Sequence, residues 1–163
     1  MISKAEIFDD VRALIHQHKL TVHREDQTRP WGGFFVLEEN EVEKFLHTFF
    51  KDMDPAKVAG LKLSPKILLV APHARLSWQY HHRRAEVWSV VKGPVRVGIS
   101  DTDEENELVD LDAGNSISLK QGQRHRLIGL DAWGIVAEIW QHTNPALPSD
   151  EEDIVRVQDD FNR

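Results

Sequence analysis

The chain has 163 residues, 29% of them charged, with a formal net charge of −7 and a pI near 5.7. That length suits one domain with a sizeable core, and the acidic balance disfavours nucleic acid as a partner. With no Cys there are neither disulfides nor thiolate metal sites; no apolar run approaches the roughly 20 residues of a membrane span, and no signal-like segment opens the chain, so a cytoplasmic protein is expected.

SKAEIFDDVRALIHQHKL opens with a capping box, Ser3 with Glu6, followed by Ile7, Val11, Leu14 and Ile15 at helical spacing. An amphipathic helix is expected within residues 1–25, ahead of a main domain over 26–163. His16, His18 and His23 diverge at its end and read as solvated. RPWGGFFVL, from Arg29, reads as a turn entering a strand. Glu38 to Leu63 breaks the β pattern: Val42, Phe45, Leu46, Phe49 and Phe50 recur at helical spacing, and Asp54 is placed to cap a shorter helix from Pro55. This helical insertion, about 38–63, covers one end of the domain, forms a lid or meets a second subunit. The Phe-rich surface favours a homodimer.

From Lys66 the β pattern returns with KILLVAP and runs into LSWQYHHRRAEVWSVVKG. Alternation puts Ser77, Gln79 and His81 on one face. After a break at His82 to Ala85, Glu86 opens a second strand with Trp88 and Val90 on its side, and a hairpin returns that carboxylate beside Gln79 and His81. GNSISLKQGQRHRL, from Gly114, brings His125 to the same place. Gln79, His81, Glu86 and His125 then converge on one divalent cation: Zn, Mn, Fe, Co or Ni suit such nitrogen and oxygen donors. Regular alternation gives Arg83 the His81 face, at the mouth or paired with an acid, and sends His82 and Arg84 to the other side. Trp88 lines the pocket, and Lys120 sits in a turn, either at the mouth or in solvent.

PVRVGIS alternates strictly, DTDEENE makes an exposed acidic loop, and GIVAEIWQ is a late strand. Glu138, a carboxylate inside that apolar strand, is either paired with an arginine or a proton-transfer group with a raised pKa. About nine short strands with turns between them indicate a mainly β protein, an antiparallel double-sheet jelly roll with an N-terminal helix and a helical insertion.

Gln79, His81, Glu86 and Gly93 fall on the first cupin motif, with Gln in place of its first His, and Gly114, Gly122 and His125 fall on the second. LSWQYHHRRAEVWSVVKG, RPWGG and the C-terminal EEDIVRVQDDFNR resemble three signatures of the type II mannose-6-phosphate isomerase cupins. Arg83 and Val87 stand where that family has His.

The resemblance implies a metal-dependent aldose–ketose isomerase acting on a sugar phosphate, in a single-domain form, since few residues precede Arg29 and no Gly-rich nucleotidyl loop is present. The alternatives are a cupin isomerase of another sugar, a free pentose or a heptose phosphate, or a metal-holding sugar-binding cupin without turnover. For the base the order is Glu138, Glu86, His82. The family implies that Arg29 anchors a phosphate; Arg156 and Arg163 either join it or pair with the acids of the C-terminal segment. Trp88 would pack against a sugar face, with Arg83 and Lys120 as further substrate contacts.

Overall fold

The computed structural model describes residues 1–163. Eleven strands make two antiparallel sheets: β1 Val22–Asp26, β2 Gly32–Leu37, β3 Lys66–Val70, β4 Trp78–Tyr80, β5 Arg84–Lys92, β6 Val95–Ser100, β7 Glu107–Leu111, β8 Ser116–Leu119, β9 Arg124–Gly129, β10 Gly134–His142 and β11 Val155–Gln158. The larger sheet runs β1-β2-β3-β10-β5-β8 and the smaller β11-β4-β9-β6-β7. This is the expected jelly-roll sandwich. The chain has no helix long and apolar enough to cross a membrane.

The larger sheet is apolar on both faces, which is why KILLV and GIVAEIW read as nearly continuous hydrophobic runs. Phe34, Leu68, Trp88, Val90 and Val136 point inward and pack on Val95, Val97 and Leu127 of the smaller sheet. Their neighbours Phe35, Ile67, Leu69, Val87, Ala137 and Ile139 point outward. That outer face is covered by two helices, α1 Lys4–Gln17 and α2 Val42–Phe49. Ile7, Phe8, Val11 and Ile15 of α1 join Phe45 and Leu46 of α2 and the following Phe50 over it. Each such side chain contributes about 2 kcal/mol of burial.

The capping residues are as expected, Ser3 Oγ accepting from the Glu6 N–H at 3.2 Å and the Asp54 carboxylate from the Ala56 N–H at 3.0 Å, but the Glu6 carboxylate does not return a bond to the Ser3 N–H, so the box is half formed. In RPWGG, a Cβ at Gly32, whose φ is +146°, would overlap the Leu69 carbonyl oxygen across the β2–β3 ladder.

Phe45 and Phe50 are 0% and 5% exposed and Phe49 is half-buried, so the insertion packs these phenylalanines largely against the outer face of the larger sheet. One boundary differs from the expectation. Val22–Asp26 pairs with β2 as an edge strand, so the sheet begins inside residues 1–25; VHRED carries no apolar alternation that would have revealed it.

Candidate metal centre

His81, Glu86 and His125 lie between the sheets with their ligand atoms all within 4.8 Å of one another. Glu86 comes from β5, His125 from β9, and His81 from the turn between β4 and β5. Each imidazole is oriented by a backbone carbonyl: His81 Nδ1 donates to Asp153 O at 2.7 Å and His125 Nδ1 to Gln123 O at 3.0 Å. Both Nε2 lone pairs are thereby turned toward Glu86, 3.5 Å away for His81 and 3.2 Å for His125.

Burial holds His81 neutral, its pKa pushed down to about 4 despite the Glu86 charge. His125 Nε2 is buried with no hydrogen-bond partner. Lone pairs on two imidazoles facing a carboxylate, one of them orphaned, are a donor set short of a cation, so these residues fit a divalent metal. Gln79 is the ladder partner of His125 and lines the same cavity, its amide nitrogen bonded to Ser77 O at 3.2 Å. The remaining amide oxygen makes it a fourth candidate donor.

The cavity measures about 120 Å³, and Trp88 and Glu138 are in its wall. Glu138 forms no ion pair with an arginine. Its two oxygens accept from the indole N–H groups of Trp140, at 2.7 Å, and Trp88, at 2.8 Å. Burial, with the neighbouring Glu86 charge, pushes its carboxyl up to about 7.

The arginines divide differently from the sequence expectation. Arg84 is the buried one: Nε donates to Glu86 Oε2 at 2.9 Å, Nη2 reaches His81 Nε2 at 3.3 Å, and the guanidinium stacks 3.6 Å from the Trp140 ring centre. Arg83 is tied outside the cavity, to Pro148 O at 2.9 Å and Asp150 at 3.3 Å. The three-residue break after Tyr80 resets the alternation, so β5 starts in phase with Glu86 and takes Arg84 inward. His82 is exposed and does not reach the cavity, which removes it as a base. Lys120 is also exposed and lines no part of the cavity. Val87 lies in the core beneath the helices, so neither departure from the family signature takes a group out of the cavity.

Arg29, Arg156 and Arg163 do meet at one rim of the cavity. Arg163 is engaged by Asp159 at 2.9 Å. Arg29 Nε stands 3.2 Å from Asp26 Oδ2 without a directed hydrogen bond. Arg156 forms neither a hydrogen bond nor an ion pair; burial and the charges of Arg163 and Arg29 depress its pKa.

The C-terminal segment is thus structural at this site. β11 pairs with β4, and Asp153, 6% exposed, fastens the turn that carries His81: its carboxylate accepts from the backbone N–H groups of His82 and Arg83, both at 3.0 Å, and from Ser149 Oγ at 2.6 Å. Burial alone would raise this carboxyl, but the Ser149 hydroxyl and the two N–H groups bring it down to about 2. Its contribution is therefore complete above the ordinary value of 3.8 and lost as pH falls through about 2. Asp153→Asn is expected to cost on the order of 3 kcal/mol at pH 7 and progressively less in acid. Urea unfolding across pH checks this; a cost that does not shrink in acid argues against it.

Lys66, Arg84, Trp140 and Asp153 carry no signal in the sequence that places them at the site. Lys66 reads as the polar start of an apolar strand and Asp153 as one acid in an acidic tail; only the pairing of distant strands brings them in.

A family model described as mannose-6-phosphate isomerase C-terminal matches residues 15–159. The mannose-1-phosphate guanylyltransferase ManC of Salmonella typhimurium is 27% identical over 174 residues, covering 100% of this chain and 29% of that protein. The xanthan biosynthesis protein XanB of Xanthomonas campestris pv. campestris is 33% identical over 135 residues, 83% of this chain and 23% of XanB. The chain spans less than a third of the length of these curated relatives. Among solved structures, hazelnut (Corylus avellana) vicilin superposes with a TM-score of 0.56 at 17% identity over 85% of this chain and 36% of that one. KdgF from Halomonas sp. gives 0.51 at 15% identity over 75% and 89%. At such identities these two likenesses concern the fold alone.

Proposed function

Because the chain belongs to the mannose-6-phosphate isomerase C-terminal family of cupin domains, we propose that it is a metal-dependent aldose–ketose isomerase acting on a sugar phosphate. One observation carries the reading: a single cavity is lined by Glu86 and His125, whose ligand atoms lie within 4.8 Å of those of His81 behind them, together with the protonatable Glu138 and the unpaired Arg156.

His81, Glu86 and His125, with Gln79 beside them, would hold the cation. When bound, it supplies Lewis-acid polarisation of the substrate's carbonyl and hydroxyl oxygens. Glu138 takes the proton from C2 of the aldose, leaving an enediolate, and returns it to C1 once the hydroxyl proton has passed from O2 to O1. Trp88 and Trp140 fix the carboxylate that does this, at one indole N–H per oxygen. Arg84 holds Glu86 in place, and burial keeps His81 neutral; its Nε2 lone pair, which accepts from Arg84 Nη2 at 3.3 Å, would be released to the cation. Arg156, with Arg29 and Arg163 beside it, binds the phosphate at the rim.

The test is proton exchange at C2 of a panel of aldoses and their phosphates, run in deuterated water with the metal-loaded protein. Exchange with a sugar phosphate supports the proposal. Absence of exchange across the panel, with sugar still bound, makes the protein a binding module instead.

Arg156→Ala is expected to weaken binding of a phosphorylated sugar about tenfold or more and to leave its unphosphorylated parent unaffected. Calorimetric titration of both sugars checks this; equal affinity of parent and variant for the phosphorylated sugar would take Arg156 out of the phosphate site.

A further inference from the structure

Lys66 is a buried cation that the isomerase reading does not use. It lies on the inner face of the larger sheet, directly opposite Glu138 in the β3–β10 ladder. Its side chain is 8% exposed, and its ammonium sits between the Phe34 and Trp140 rings, 4.7 and 4.9 Å from their centres. The backbone is fixed on both sides by β2 and β10. Its one hydrogen-bond partner is Glu151 Oε1, at 2.8 Å.

Glu151 is a different kind of group. It comes from the turn before β11, its side chain is 48% exposed, and its second contact is the exposed Arg24 at 3.5 Å. An exposed carboxylate exchanges one partner for water at little cost, whereas a buried ammonium must keep a counter-charge.

Lys66 and Glu151 also stand where two spaces meet. They line both the metal cavity and a neighbouring groove of about 330 Å³ bounded by Arg24, Lys62 and Ser64. The cavity by itself, about 120 Å³, falls short of the ~300–1,000 Å³ usual for small-molecule sites. Joined to the groove, it reaches that range. The pair is the partition between the two.

We propose that the Glu151 carboxylate is a built-in surrogate ligand, which an oxyanion group of the incoming ligand displaces from Lys66. Lys66 then becomes a ligand-binding residue, and Glu151 sets how strongly anionic ligands must compete. The inference rests on the reading of this cavity as a sugar-phosphate site, but it concerns binding and needs no turnover.

Calorimetric titrations of the metal-loaded protein with inorganic phosphate, a hexose 6-phosphate and the free hexose test it. Glu151→Gln, which keeps a hydrogen-bond acceptor for Lys66, is expected to lower Kd for the anionic ligands about threefold or more and to leave the free hexose unchanged. Lys66→Met is expected to raise Kd for the anions about tenfold, and in the double variant the gain from Glu151→Gln disappears. Tighter binding of both anions identifies the oxyanion itself as the competitor; tighter binding of the hexose phosphate alone identifies the sugar-borne group. Unchanged or weaker anion binding by Glu151→Gln overturns the proposal, and that single exposed substitution decides it even if Lys66→Met does not fold. Failure of the isomerase reading is distinguishable: C2 exchange is then absent while Glu151→Gln still binds anions more tightly.

Discussion

Replacing His81 and His125 together with Ala is expected to abolish stoichiometric divalent metal, from about one ion per chain to none, because a site of this type needs three or four protein donors and the double variant keeps only Glu86 and Gln79. C2 exchange should vanish with the metal. Elemental analysis of parent and variant, purified side by side, is the measurement. A double variant as metal-rich as the parent would mean that the ion sits elsewhere and that the orphaned His125 Nε2 has another explanation. Circular dichroism should show the fold retained, since the two imidazoles carry little of either hydrophobic core.

The second large effect concerns the base. Glu138→Gln is expected to lower the C2 exchange rate by about 10²- to 10⁴-fold without loss of metal, because no metal donor is removed. The amide keeps an oxygen for one indole N–H but has no basic form. In the parent, burial and the Glu86 charge push the Glu138 carboxyl up to about 7. Only the ionised form abstracts a proton, so exchange should climb as pH rises through neutrality and level off above it. In the variant that limb disappears. A variant within threefold of the parent, or one with the same pH profile, would move the base to another group.

Much of this site is legible in the sequence. Gln79, His81, Glu86 and His125 are recoverable because strand alternation and the family spacing agree; Glu138 stands out as a carboxylate within IVAEIW, but the sequence leaves it between an arginine partner and proton transfer, and only the structure replaces the arginine with two indole N–H groups. The helices are legible from periodicity and capping at Ser3 and Asp54. What cannot be read is phase across a break: Arg83 and Arg84 trade places because the turn at His81 to Arg83 is not part of either strand. Pairing between distant segments is equally hidden. Nothing near Lys66 in the chain announces Glu151, and nothing near His81 announces Asp153, 72 positions away. The edge strand at Val22 escapes because a strand exposed on one side, VHRED, shows no hydrophobic period.

The donor atoms do not belong to one sheet. Glu86 stands in the larger sheet, Gln79 and His125 in the smaller, and His81 in the turn that passes between them. An ion held by all of them rivets the two halves of the sandwich together at a point where only side chains otherwise cross. Chelation would then do more than silence chemistry: it would release a fastening, lowering the melting temperature and letting amides of β4 and β9 exchange with solvent as one group, while those of the larger sheet under α1 and α2 stay protected.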